Sequence, residues 1–300
     1  GRLNQNRIQL YGMCAVPMLL VFIFNYLPMF GIVIAFKNYR FDKGIIGSEW
    51  VGFKNFEFFF QSDDFIRLVR NTLGLNALFI ALGLVASVVL ALLLFEIKQR
   101  IYIKVYQTVM IIPHYLSWVV VGYMAYAFLN PEVGFINSML AALGIGKIQW
   151  YSKPEDWPAV LTLASVWKGV GMSSAIYYAA LMGINSEYFD AAAIDGARKI
   201  DVIRYITIPF LTPLMTILTI LAIGNIFRAD FGLFYQLTRD VGTLYKTTDV
   251  IDTYIYRVMN SVGDMSMTSA VGVLQSVVGF VLIMITNAIT KRIEPENTLF

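Results

Sequence analysis

The chain has 300 residues, of which 58% are hydrophobic and 14% are charged. Charged residues make up about 25% of an average soluble protein, so this composition excludes an ordinary soluble domain and indicates a membrane protein. The formal net charge of +3 is too small to indicate a nucleic-acid partner. The single cysteine, Cys14, excludes a disulfide bond within the chain.

Six apolar runs approach or exceed about 20 residues, the length that crosses a bilayer core of about 30 Å as an α-helix. Because a backbone in lipid must satisfy its hydrogen bonds internally, these runs predict helices. We therefore predict an all-α polytopic membrane protein that forms a single transmembrane domain over residues 1–300. The six predicted transmembrane helices are Leu10–Phe36, Leu73–Phe95, Tyr106–Leu129, Ala159–Ile184, Phe210–Phe227 and Met267–Thr290.

The first run has no small-residue cleavage site and is too long for a cleavable signal peptide, so we expect it to be retained. The glycine at position 1 suggests that the natural start lies upstream. Three prolines, Pro17, Pro28 and Pro113, fall within the runs, and each is expected to kink its helix or to mark a helix end.

The distribution of basic residues predicts the orientation in the membrane. The segments 1–9, 96–104, 184–209 and 291–300 hold ten lysines and arginines in 54 residues, whereas the alternate segments hold twelve in 102 residues. Cytoplasmic loops carry the excess of such residues. We therefore predict that both termini face the cytoplasm, in a bacterial cytoplasmic membrane.

The first outer segment, residues 37–70, is aromatic and amphipathic. Phenylalanines recur at helical spacing within it, at Phe53, Phe56, Phe59 and Phe60. This pattern predicts a helix that lies flat on the outer membrane face. A folded outer cap is the alternative.

The most polar stretch between two apolar runs is DAAAIDGARKIDVIRYITIP, residues 190–209. Its small residues predict a slim first helix, and Gly196 permits a turn that a side chain would obstruct. A second helix is expected to end at Pro209, before helix five. The apolar edge of that second helix consists of Ile200, Ile203 and Ile206. We interpret the stretch as a rigid knob that inserts into a groove on a partner, with an ordinary interhelical loop as the alternative.

This stretch resembles the "EAA" coupling loop of binding-protein-dependent ABC importer permeases. The family pattern is Glu-Ala-Ala, two residues, Asp-Gly-Ala, then Ile-x-x-Pro, and the spacing matches throughout, with Asp190 in place of the glutamate. The resemblance implies that the segment 184–209 is a cytoplasmic loop that couples the chain to an ATPase. The implied coupling residues are Asp190, Ala191, Ala192, Asp195, Gly196, Ala197, Arg198, Ile206 and Pro209.

Three further stretches are similar to permeases of the sugar type: WVGFKNF (50–56), IIPHYLSWVVVG (111–122) and VWKGVGMSSAIYYAALMGI (166–184). Together they resemble the LplB-like branch, which imports oligosaccharides and polysaccharide fragments. The resemblance implies the MetI-like core of a type I ABC importer, built from helices two to six, with helix one wrapping a partner. It also implies a second permease subunit, which makes a heterodimer, two cytoplasmic ATPases and an outer solute-binding protein.

The chain has no G-x-x-x-x-G-K-[ST] run. We therefore expect ATP and magnesium to bind to a partner ATPase, and we expect no cofactor on this chain. With one histidine and one cysteine, the sequence offers no metal cluster and no Ser/His/Asp set. We predict a transport protein, with no catalytic residue of its own.

Polar residues at membrane depth are the candidates for the substrate pathway. A charge such as that of Lys168, near the middle of helix four, costs several kcal/mol in lipid and must face a wet cavity or a partner. Lys168 shares one helix face with Ser165 and Met172, and the four-residue spacing of His114 and Trp118 predicts a second such face. An aromatic ring beside a hydrogen-bond donor suits a sugar. A structural ion pair for Lys168 and a packing role for His114 are the alternatives.

In the maltose-type permeases, which this chain resembles, sugar-contacting positions follow the helix-three proline, surround the helix-four Trp-x-Gly and lie late in helix five. The resemblance implies a substrate pathway lined by His114, Trp118, Ser165, Lys168, Gly169, Met172, Asn225 and Arg228.

The predicted function is the permease subunit of an ATP-driven importer of oligosaccharides or polysaccharide fragments. Its expected partners are the bilayer and the other transporter subunits, and no nucleic-acid partner is expected. A second hypothesis is an ion-coupled secondary transporter of a polar solute that uses Lys168, Arg228 and Asp230. The coupling loop discriminates between the two, because a secondary transporter has no use for it.

Overall fold

The computed structural model describes residues 2–293, and the side-chain surroundings of residues 11–292 except Val262. The described chain forms two compact units, one of residues 2–65 and 255–277 and the other of residues 66–254 and 278–293. Helices account for nearly all of the regular structure, as predicted. The exception is one antiparallel pair of two-residue strands.

In the first unit, α1 (Arg2–Val21) continues through a π-helical turn into a 3₁₀ stretch that reaches Phe36. The segment after it folds back on itself instead of lying as an isolated flat helix. Its elements are β1 (Lys37–Asn38), α2 (Gly44–Gly47), β2 (Glu49–Trp50) and α3 (Lys54–Gln61).

A hydrogen-bonded aromatic cluster holds this fold together. The Asn55 side chain donates to the carbonyls of Ala35 and Lys37 at 2.8 and 2.9 Å. Phe36 stacks on Trp50, and Phe59 is buried. Residues 37–61 therefore form a compact fold of short elements and not one continuous amphipathic helix.

The remaining helices, in chain order, are α4 (Phe65–Phe95), α5 (Arg100–Tyr115), α6 (Trp118–Leu129), α7 (Phe135–Ala142), α8 (Trp157–Leu181), α9 (Ser186–Ile194), α10 (Lys199–Val202), α11 (Ile208–Gly224), α12 (Phe231–Thr238), α13 (Tyr245–Thr248), α14 (Ile251–Val262) and α15 (Met265–Ile293). Within the second unit, one buried cluster gathers around Trp157, Phe234 and Leu237. Another gathers around Leu181 and Leu211.

Among the described residues, five helical stretches are long and apolar enough to cross a membrane: Tyr11–Phe36, Phe65–Phe95, Pro154–Leu181, Lys199–Gly224 and Met265–Arg292. The pair α5 and α6 passes the same test together, with a bend of 97° between its members. Five of the six predicted spans are therefore present as single helical stretches. The third predicted span is divided by the 97° bend into α5 and α6 and is not a continuous helix.

Candidate functional site

The third span is broken at Leu116 and Ser117, the two residues that follow Tyr115. Pro113 lies in the last turn of α5, and the backbone is extended at Leu116 and Ser117. The Ser117 hydroxyl then caps α6 by accepting a hydrogen bond from the Val120 amide at 3.3 Å. A proline followed by a capping serine is a local signal for one helix to end and another to begin.

This break corrects the prediction that His114 and Trp118 share one helical face. The two residues lie on different helices, and the i, i+4 relationship applies only within a continuous helix. His114 is exposed at the end of α5, whereas Trp118 is half-buried at the start of α6.

Lys168 brings the two sides of the break together. Its Nζ donates a hydrogen bond to the carbonyl oxygen of His114 at 2.6 Å and lies 5.2 Å from the centre of the Trp118 ring. A lysine on a carbonyl of the last turn complements the negative end of a helix dipole. No described carboxylate forms an ion pair with Lys168, so the structure does not contain the structural ion pair that was the alternative for this residue.

Trp118 is anchored from its other edge by Asp230. The indole Nε1 donates to Asp230 Oδ2 at 2.6 Å, and the other carboxylate oxygen accepts from the Leu233 amide as the N-cap of α12. One helix cap and one indole thus hold this carboxylate in place. The site therefore contains three neighbouring groups, the Lys168 cation, the Trp118 ring and the Asp230 carboxylate, with the ring between the two charges. All three are exposed or half-buried.

Close helix packing fixes these groups. A Cβ added at Gly122 would lie 2.8 Å from the Gln236 carbonyl oxygen, and one added at Gly232 would overlap the Trp118 ring. A Cβ at Gly171 would overlap the Met110 carbonyl. Glycine at these positions lets α6 approach α12, and α5 approach α8, at backbone distance.

The fifth span ends earlier than predicted, at Gly224 instead of Phe227. The Asn225 side chain bonds back to the Leu221 carbonyl, and the Asn76 side chain donates to the carbonyls of Ile226 and Arg228 at 2.8 and 3.0 Å. Asn76 satisfies two backbone carbonyls of the turn that follows α11. It thereby holds the exposed Arg228 in a defined turn after α11.

A cavity of about 350 Å³ lies between α4, α8 and α11, and Ser165 and Gly169 are part of its lining. Met172 is 40% exposed on the same helix and is not among the lining residues. The predicted pathway residues thus fall into groups. His114, Trp118 and Lys168 meet at the helix break, Ser165 and Gly169 line the cavity, and Asn225 and Arg228 follow α11.

The predicted coupling loop forms an exposed helix–turn–helix. The Asn185 side chain caps α9 by accepting from the Glu187 amide at 3.1 Å. At the other end the Gly196 amide bonds to the Ala193 carbonyl and the next amide, that of Ala197, to the Ala192 carbonyl. This pair of bonds is a Schellman motif, and Gly196 adopts the left-handed φ of 71° that the motif requires.

The second half of the loop departs from its prediction at Pro209. At the start of α10 the Asp201 carboxylate accepts hydrogen bonds from the Arg198 backbone amide at 3.2 Å and from the Arg198 guanidinium at 2.9 Å. From Lys199 the helix then runs without a break to Gly224, because a π-helical turn over Ile203–Thr207 adds a residue ahead of the proline. Pro209 therefore lies inside a continuous helical stretch, directly after the π-helical turn, and it does not end a helix.

An ion pair joins the loop to the end of the second span. Lys199 pairs with Glu96, and the Phe189 ring lies 5.6 Å from the Phe95 ring. Sequence reasoning missed Glu96 and Asn76 as members of these sites, and it named Asp230 only for the ion-coupled alternative, not as the partner of Trp118. A carboxylate or amide at a span end is a weak signal, because its partner lies about a hundred or more residues away.

Comparison with known proteins agrees with this architecture. The family described as "Binding-protein-dependent transport system inner membrane component" matches residues 80–295. Protein LplB of Bacillus subtilis (strain 168) is 36% identical over 94% of this chain and 88% of its own length. The polygalacturonan/rhamnogalacturonan transport system permease protein YteP of the same strain is 35% identical over 96% of this chain and 89% of its own.

Among solved structures, a chain of a bacterial ABC transporter involved in the import of the acidic polysaccharide alginate is similar to this protein, with a TM-score of 0.85 and 32% identity. The similarity covers 98% of this chain and 100% of that chain. A chain of the alginate transporter in complex with an alginate pentasaccharide-bound periplasmic protein gives the same TM-score over 96% of both chains. This protein is therefore a multi-pass membrane permease component of the binding-protein-dependent transport family, and the ion-coupled alternative is set aside.

Proposed function

We propose that this chain forms half of the translocation pathway of an ATP-driven importer of acidic oligosaccharides. The observation that carries the substrate class is Lys168, a cation held at a helix break against the Trp118 ring. A ring offers an apolar face to a sugar, and an ammonium group recognises a carboxylate by charge-assisted hydrogen bonding. Two similar proteins have names that specify acidic polysaccharides, polygalacturonan and alginate, which supports this class.

The coupling loop supports the proposal that two cytoplasmic ATPases drive transport. Residues 193–200 are exposed, so the loop presents a protruding surface to a partner. Asp190, Ala191, Ala192, Asp195, Ala197 and Arg198 lie on or beside the Gly196 turn, and Ile206 and Pro209 lie in the helix that follows. We propose that these residues insert into the ATPase.

Helix one supports a second permease subunit. Every side chain from Tyr11 to Phe30 is exposed, and only 6% of the most apolar window of Tyr11–Phe36 is buried. We propose that this helix wraps the second subunit, and that an outer solute-binding protein delivers the oligosaccharide to the pair.

Reconstituted complexes are expected to take up galacturonate oligomers when ATP and the solute-binding protein are supplied. The measurement is accumulation of labelled trimer in proteoliposomes that contain this chain with its co-purified subunits. The carboxyl-reduced, neutral trimer is the matched control and is expected to enter at least about tenfold more slowly, the effect of one lost charge-assisted hydrogen bond. Equal uptake of both trimers would overturn the acidic class, and uptake without ATP would overturn the ATP-driven mechanism.

Cysteine labelling is expected to show the loop in the cytoplasm. In a Cys14→Ala background, Ile200→Cys should react with a membrane-impermeant maleimide only in inside-out vesicles, and Lys147→Cys only in intact cells. Both positions are exposed, so each reagent can reach its target. The opposite pattern would reverse the proposed orientation and remove the loop from the ATPases.

A further inference from the structure

The helix α12 ends in a strained turn that the proposed pathway does not include. Arg239 and Asp240 have positive φ values of 55° and 50° and are the only described non-glycine residues that do. Such backbone conformations are strained for residues with a Cβ, and they are enriched at functional sites. The question is what the turn positions.

The turn places a guanidinium group on an aromatic ring. The Arg239 guanidinium lies 4.1 Å from the centre of the Tyr126 ring on α6. The Tyr151 ring packs edge-on against Tyr126 at 5.7 Å, and the Tyr151 hydroxyl donates to the Leu237 carbonyl at 3.3 Å. Burial raises the pKa of Tyr151 to about 12, so its hydroxyl stays neutral at physiological pH. Tyr151 therefore holds the Tyr126 ring without adding a charge.

Beside this pair lies a concave surface of sugar-binding character. A depression of about 150 Å³ is lined by Val119, Gly122, Tyr123, Tyr235, Gln236 and Arg239. Tyr123 is 68% exposed, and Arg239 is also exposed. Tyrosine rings, an amide and a guanidinium are the groups that bind an acidic sugar, by stacking, by hydrogen bonds to hydroxyls and by bidentate contact to a carboxylate.

The guanidinium has no carboxylate partner among the described side chains: Arg239 forms no ion pair there. Arg239 lines the depression, so its guanidinium N–H groups are available to a ligand there. An arginine in this setting differs from the ion-paired Arg67, which bonds to the buried Asp249 at 2.9 Å.

The helix α6, which carries Tyr126, has a similar cation–ring pair at its start. Lys168 lies over Trp118 at the start of α6, and Arg239 lies over Tyr126 eight residues later. Eight residues of α-helix rise about 12 Å. Two cation–ring pairs at this separation suit a substrate that repeats both an apolar sugar face and a carboxylate along its length.

We propose that Arg239, Tyr126, Tyr123 and Gln236 form a second binding site for an acidic sugar unit, which engages oligosaccharides long enough to reach it from the Lys168 site. This inference rests on the proposed function. It assigns to the α6–α12 surface a role in selecting chain length, because a short acidic oligomer fills the Lys168 site alone. Simultaneous contact at two sites strengthens binding of the longer chain without any change at the first site.

The test is the chain-length dependence of uptake by the assembled transporter. Arg239→Gly removes the guanidinium and suits a φ of 55°, so the variant should fold. We expect it to raise the KM for galacturonate pentamer about tenfold or more, the effect of one lost charge-assisted contact. The KM for the dimer and for a carboxyl-reduced pentamer should be unchanged. Arg239→Lys, which keeps the charge, should recover part of the pentamer affinity.

Lys246→Gln provides the matched control, because Lys246 is an exposed cation of the same unit at 3.7 Å from Glu155 and does not line the depression. It should leave every KM unchanged. An unchanged pentamer KM in Arg239→Gly would overturn the second site. An equal loss on acidic and neutral pentamers, with weaker ATPase stimulation by the solute-binding protein, would instead assign Arg239 to docking of that protein. If the unmodified transporter imports no oligosaccharide, the proposed function itself is wrong.

Discussion

Replacing Gly196 by valine is expected to abolish most of the ATP hydrolysis that the solute-binding protein stimulates. Gly196 occupies a left-handed conformation with a φ of 71°, at the position of a Schellman motif between α9 and α10. A residue with a Cβ pays about 1–2 kcal/mol there, and a β-branched residue pays more. No atom lies within 4 Å of an added Cβ, so the effect comes from the backbone and not from a collision.

The valine variant should insert and assemble, because the exposed turn contributes no buried side chain. A turn that must open to relieve this strain misplaces α9 and α10 against the ATPase. We expect stimulated ATPase activity in proteoliposomes to fall about tenfold or more, because a strain of about 1–2 kcal/mol corresponds to roughly a tenfold change in an equilibrium. Gly196→Asn should lose less, since asparagine tolerates the left-handed region.

Gly144 gives a control of the same geometry outside the coupling loop. It has a φ of 75° and ends α7 in a Schellman motif with the same two hydrogen bonds. Gly144→Val should cost similar stability and leave stimulation near normal. Equal losses in both valine variants would mean that general destabilisation, and not coupling, explains the result; normal activity in Gly196→Val would remove the loop from the coupling mechanism.

Replacing Lys168 by methionine is expected to lower the uptake of acidic oligosaccharides of every length. The change keeps the side-chain volume and removes the ammonium group, which donates to the His114 carbonyl and lies over the Trp118 ring. A hydrogen bond to a charged group contributes about 1.5–3 kcal/mol, so uptake of the galacturonate trimer should fall about tenfold or more. Stimulation of the ATPase by the solute-binding protein should persist, because the coupling loop is intact.

A merely structural role for Lys168 makes a different prediction. If its main task is to cap α5, its loss costs about 0.3–1 kcal/mol of stability, and uptake of acidic and neutral trimers should fall together or not at all. Lys168→Arg keeps a cation that can bond to the α5 carbonyls, so it should restore either role in part. The ratio of acidic to neutral uptake in Lys168→Met is the readout that separates the two roles. Full acidic uptake in a folded Lys168→Met transporter would exclude Lys168 from the pathway.

Lys147 offers a matched lysine. Lys147 lies in the segment between α7 and α8, and its Nζ also donates to a backbone carbonyl, that of Glu132, at 3.1 Å. Lys147→Met should change neither stability nor uptake appreciably. The contrast separates the position of Lys168 from the general effect of removing a lysine that bonds to a carbonyl.

The spans could be predicted from the sequence because hydrophobicity over about 20 residues is a local property. The turn at Gly196 could be predicted for the same reason: only glycine adopts the left-handed C′ conformation without strain, and the residues that make its Schellman motif are sequence neighbours. Membership of the permease family, suggested by the spacing of the loop, is confirmed by the match over residues 80–295.

Local rules also produced the two errors about helix continuity. A proline is a helix breaker on average, yet Pro209 is tolerated where a π-helical turn precedes it. Pro113 instead stands before a true break, which separates His114 from Trp118. Whether a proline ends a helix depends on where the freed carbonyls find partners, and those partners are provided by packing, such as the Lys168 ammonium group.

The composition and spacing of residues thus determined the class of protein, the positions of the apolar helices and the position of the Gly196 turn. Only the tertiary structure decided which polar groups meet. Trp118 bonds to Asp230 across 112 residues, Asn76 to Arg228 across 152, and Lys168 to His114 across 54. Helical periodicity places a side chain on a face of its own helix, whereas the partner of that face is set by how distant helices pack, and no local pattern in the chain encodes it.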